Sequence, residues 1–90
     1  MKVLYKVISG NTQVHVGRCF LVGVLFTHTG TNDIKVYDEA SADTTGAQLV
    51  VWLKGGSPSV SIVFPKDREP ELVGIYAVYG AGTAVIYYHL

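Results

Sequence analysis

Turn signals interrupt this chain too often for a helix to form. They fall about every 8–12 residues, at Gly10-Asn11, Thr29-Gly30-Thr31-Asn32, Ala40 to Gly46, Gly55-Gly56-Ser57-Pro58, Pro65 to Glu71 and Gly80-Ala81-Gly82. The stretches between them alternate apolar with polar residues or are apolar throughout. A helix needs apolar residues at a 3.6-residue spacing over several turns, and no such run is present. Short strands at this spacing mark an all-β sandwich or barrel.

Eight extended segments are expected: Lys2 to Ser9, Thr12 to Gly17, Arg18 to Thr29, Asp33 to Glu39, Ala47 to Lys54, Ser59 to Phe64, Leu72 to Tyr79 and Thr83 to Leu90. Gly10-Asn11 suits a two-residue hairpin loop, because both residues tolerate positive φ. Gly80-Ala81-Gly82 reads as the turn of a terminal hairpin. Cys19 to Phe26 is apolar except for Gly23, as a central strand covered on both faces would be, and Gly23 marks a bulge or bend. The expectation is one domain over residues 1–90, an antiparallel β-sandwich of about eight strands, jelly-roll-like, without helix.

Composition removes several classes of function. Charged residues make up 16%, against about 25% in an average globular protein, which argues against disorder. Seven basic residues balance seven acidic ones, so no nucleic-acid partner is expected. The longest apolar run is far short of the roughly 20 residues of a membrane-spanning helix, and no membrane partner is expected. The one cysteine rules out an intramolecular disulfide framework and a cysteine zinc site. The first residues carry no apolar signal core, so synthesis in a cytoplasm is expected. A domain this small buries only about 60–65% of its unfolded surface, and self-association is a common support.

No pattern of residues carries chemistry. Gly55-Gly56-Ser57-Pro58-Ser59 departs from a nucleophile elbow at its last position. Gly80-Ala81-Gly82-Thr83 lacks the third glycine, the lysine and the helix of a phosphate loop. His15, His28 and His89 have no neighbours at metal spacing, and Asp38, Glu39 and Asp43 lack an EF-hand order. Cys19 opens an apolar run and reads as a buried, inert thiol. The chain is therefore expected not to be an enzyme, with no catalytic residue, no cofactor and no metal.

A surplus of apolar residues remains outside. With Val3, Tyr5 and Val7 facing in, Leu4 falls between Lys2 and Lys6. With Ala47, Leu49, Val51 and Leu53 facing in, Val50 and Trp52 fall outside, and Tyr37 lies between Lys35 and Glu39. Val85 and Tyr87 share one face of the last strand. Clusters of this kind usually mark a contact site, and Trp and Tyr are enriched at interface centres. Leu4, Tyr37, Val50, Trp52, Val85 and Tyr87 are thus the candidate subunit or partner contacts.

Three stretches resemble small β-sandwich structural proteins of tailed bacteriophages. They are Leu21 to Gly30, a central strand running into a Thr-Gly turn; Ile34 to Ala42, with Gly46-Ala47 after it; and Gly74 to Tyr88, a closing hairpin with a Gly-rich turn. The resemblance covers most of the chain after residue 20 and leaves Lys2 to Gly17 unaligned. It implies a virion structural role, first as a capsid decoration (cement) protein binding the outer shell as a homotrimer. Its partners would be copies of itself and the major capsid protein or another virion protein, and its location the virion. The alternative is a carbohydrate- or receptor-binding module of a fibre or tail, with Trp52 and the tyrosines stacking on sugar rings.

Overall fold

The computed structural model describes residues 2–27, 32–42, 44–55, 59–80 and 82–90, with backbone alone at 26, 27, 59 and 60. Within these limits the protein is all-β, with seven antiparallel strands in one sheet and no helix. The strands are β1 (Leu4–Ile8), β2 (Thr12–Thr27), β3 (Ile34–Asp38), β4 (Gln48–Leu53), β5 (Ser59–Val63), β6 (Glu71–Tyr79) and β7 (Thr83–His89). Most of the expected turn at Thr29 to Asn32 and of the break at Gly55 to Pro58 lies outside the described residues, as do His28, Asp43 and Ala81.

Seven strands replace the expected eight because Thr12 to Gly17 and Arg18 to Thr29 are one strand. Gly17, read from sequence as a strand end, has φ 115° and instead bends the chain, a conformation that only glycine adopts without strain. β2 shifts register opposite β6 between Gln13 and His15 and between Val16 and Cys19, and opposite β7 between Leu21 and Gly23. Bulges of this kind bend a strand and sharpen its twist.

β2 is the spine of the sheet. Phe20 pairs with Glu71 and with His89, so β6 and β7 lie on opposite edges of it. Gly23 to Thr27 pair with both β5 and β7, which puts β5 on the same edge as β6. Phe64 N donates to Val22 O at 2.9 Å, and Leu21 N donates to Pro70 O at 3.1 Å. β5 and β6 thus form one interrupted partner of β2, with residues 65–69 looping out. β1 lies outside β7, and β3 then β4 lie outside β6.

This topology replaces both expected hairpins. β1 pairs with β7, and β6 pairs with β2 and β3, so the link at Gly10-Asn11 passes β7 to reach the spine, and the link between β6 and β7 joins opposite edges of it. Neither Gly10 nor Asn11 has the positive φ that the tight hairpin turns need. Asn11 instead accepts a hydrogen bond from Tyr79 N at 2.9 Å, tying the first link to the end of β6.

The buried side chains form one cluster drawn from both ends of the sheet, with Ile8, Ala84 and Ile86 from one end and Ile34, Val36 and Val51 from the other. Two strand faces differ from expectation. Ile8 is buried opposite Ala84. Burying a residue of this kind is worth about 1.5–3 kcal/mol, and alternation then turns Tyr5 and Val7 outward and leaves Leu4, expected outside, half-buried on the inner side. In β4, Val36 pairs with Val51 but Tyr37 with Leu49, so Val50 is an extra residue in a bulge. The bulge reverses the alternation before it: Leu49 faces out, and Val50, expected outside, packs against the core.

Candidate functional site

Two outward faces and one cavity concentrate the side chains that the core leaves over. The larger face belongs to the half of the sheet built from β5, the second half of β2, β7 and β1. Register places Tyr5, Tyr87, Gly23 and Val63 in one row across the four strands. Val7, Val85, Leu25 and Ser61 form the next row. Tyr5 is 68% exposed, Val63 74%, Val7 56% and Leu25 41%, while Val85 and Tyr87 are half-buried between them. The rings of Tyr5 and Tyr87 meet at 6.3 Å. An apolar patch of several hundred Å² is the size that marks a contact site on a folded monomer.

The second face lies on β3 and β4. Trp52, 48% exposed, pairs across the sheet with Lys35, and Leu49 with Tyr37. The Trp52 indole Nε1 donates to Asp33 Oδ2 at 2.8 Å, and Gly55 N donates to Asp33 Oδ1 at 2.7 Å. Those two donors, the Gly55 amide foremost, hold the Asp33 carboxyl below the usual carboxylate range. The indole is therefore fixed before anything binds it. The ammonium of Lys54 lies 4.0 Å from the ring centroid and that of Lys35 4.8 Å, both over the ring. A sugar ring stacking on Trp52 would compete with these cation–π contacts.

The cavity, about 490 Å³, is lined by Val3, Phe20, Lys66, Asp67, Glu69 and His89. It lies beside the 65–69 excursion. His89 is buried and stacks on Phe20 with ring centroids 4.9 Å apart. Its Nε2 is 2.7 Å from Glu69 Oε1, and its Nδ1 is 3.2 Å from Leu90 O. Both neighbours are acceptors, so both ring nitrogens donate in the charged form. The Glu69 hydrogen bond, aided by the Leu90 oxygen, accordingly raises the His89 pKa. With both nitrogens engaged the imidazole holds the excursion to β7, and neither nitrogen faces a free proton-transfer partner.

Of the six residues singled out from sequence, Val85 and Tyr87 lie on the larger face, and Trp52 and Tyr37 on the smaller one. Leu4 and Val50 turn toward the core, as described. Sequence reasoning missed Tyr5, Val7, Leu25 and Val63. Val63 was legible as the residue opposite Ile62 and Phe64, both of which pack on the core. Cys19 is fully buried, and burial raises its thiol pKa. Among the described residues no group of His, Cys, Asp and Glu could hold a metal ion. Compared with family models, curated proteins and solved structures, the chain matches none of them.

Proposed function

We propose that this chain is a virion structural protein of a tailed bacteriophage, a capsid decoration protein that acts as a homotrimer on the outer shell. The observation that carries the multi-copy part of this reading is the continuous apolar face of Tyr5, Val7, Leu25, Val63, Val85 and Tyr87. A standard protein contact takes about 800 Å² from each partner, and this face is the part of the surface best suited to supply its centre. A heterologous contact that closes after three steps would hide it in every copy. The phage assignment rests on the likeness of Leu21 to Gly30, Ile34 to Ala42 and Gly74 to Tyr88 to small phage structural proteins. Many copies on one shell would gain retention by avidity without a tight single contact.

Size-exclusion chromatography with light scattering tests the assembly. The expected mass is three times the 9.7 kDa chain, and the double substitution Leu25→Asp, Val63→Asp should return the monomer with the β spectrum retained. A wild-type monomer at tens of micromolar would overturn the trimer. Cryo-electron microscopy of virions with and without the protein tests the location, expected as added density on the shell exterior.

A further inference from the structure

The order of the sheet ends at β4, and among the described residues no strand pairs with its outer side. Folded proteins normally guard such an edge with charge or proline, because its free N–H and C=O groups are a template for another strand. β4, Gln48-Leu49-Val50-Val51-Trp52-Leu53, carries neither. Its bulge at Val50 limits the regular edge to Val51 through Leu53, a short run that needs an anchor to bind anything. Trp52 is that anchor. Its indole is locked by Asp33, so little side-chain freedom is lost on binding, and an immobilised, half-exposed tryptophan is a common centre of binding energy.

The charge beside the anchor is positive. Lys35 and Lys54 both reach over the indole. Lys54 also lies 3.8 Å from Asp33 Oδ2 and is largely exposed, whereas Lys35 forms no ion pair among the described residues. One carboxylate, already accepting from Trp52 and Gly55, faces two ammonium groups.

We propose that the β4 edge takes an extended acidic segment of a different protein as an added strand. An apolar residue of that segment would sit on Trp52, with carboxylates two positions to either side, on the same face of the added strand, meeting Lys35 and Lys54. Strand addition supplies affinity through main-chain hydrogen bonds and specificity through alternate side chains. A second copy of this chain does not supply that charge. Its other edge strands are β1, which brings Lys6, and β5, which has no charged residue. Its strand carboxylates and Glu69 are engaged, Asp38 with Val73 N, Glu69 with His89 and Glu71 with Arg18, while Asp67 lies in the excursion and on no edge strand. This proposal uses the opposite end of the sheet from the apolar face and does not depend on the trimer.

Trp52 is the only tryptophan, so its emission reports this site alone. The probe is a capped synthetic hexapeptide, Thr-Glu-Val-Val-Val-Asp, whose acidic residues and central valine share one face of a strand, titrated into the full chain. Two controls accompany it, one with both acidic residues replaced by lysine and one with the central valine replaced by proline. The acidic peptide should shift the emission to shorter wavelength and saturate, while the lysine and proline peptides bind at least tenfold more weakly. In the double substitution Lys35→Glu, Lys54→Glu, at one half-buried and one exposed side chain, the preference should reverse to the lysine peptide. Three results would overturn the proposal: no shift at millimolar peptide, equal binding of the acidic and lysine peptides, or an emission shift driven by protein concentration alone. The last would show that a second copy takes the edge. Loss of the trimer in the face substitutions would leave this titration unchanged.

Discussion

Among the described residues His89 is the buried histidine, and its hydrogen bond to Glu69 favours the charged form of the ring. A folded pKa above the ordinary value of about 6.5 means that folding favours the protonated ring. That stabilisation is fully present below about pH 6.5 and is lost as pH rises through the raised value in the folded state. Urea midpoints taken from pH 6 to pH 9 should therefore fall, and Glu69→Gln should flatten the decline. Lys66 and Asp67 line the same cavity, so the comparison belongs at one ionic strength. Gly74 acts at the same scale through space alone: a Cβ there would lie 2.6 Å from Glu39 O, which shows how tightly the segment after β3 lies on β6. Overpacking of that kind costs about 1–3 kcal/mol, and Gly74→Ala should lower the urea midpoint accordingly.

β2 shows which elements were legible and which were not. Its apolar run marked a central strand, and the alternation of β3 and β7 placed Ile34, Val36, Ala84 and Ile86 inside, as the structure has them. Gly17 gave the wrong boundary because a glycine that ends a strand and one that bends it look alike in sequence. What separates them is a partner strand continuing past the bend, here the start of β6. Gly17→Ala would put a Cβ at φ 115° and should cost about 1–3 kcal/mol, read as a lower midpoint in urea with the slope unchanged. The faces of β1 and β4 were lost for related reasons. β1 is apolar at both parities, and only the burial of Ile8 opposite Ala84 decides between them. The β4 bulge inverts a pattern that a strict period of two cannot show. Two of the six residues of the larger face, Tyr5 and Val7, were hidden by the β1 inversion, and the Asp33 lock on Trp52 joins residues 19 positions apart.

For the whole molecule, the accessible surface of 5164 Å² is about what a compact monomer of this mass exposes. A single chain is thus compact and still leaves an apolar face for association. If association draws on that face, stability becomes concentration-dependent by mass action. The melting temperature should rise as protein is increased from micromolar to hundreds of micromolar, and the Leu25→Asp, Val63→Asp chain should lose that dependence.

The position of β2 along the chain sets the order in which the protein can form during synthesis. The spine ends at Thr27, but every strand that flanks it, β5, β6 and β7, lies between Ser59 and His89. A nascent chain must carry its most apolar stretch without a neighbour until residues 59–89 have been made. Translation intermediates are then the stage most exposed to mispairing, and removing β7 would strip one edge of the spine along Phe20 to Thr27.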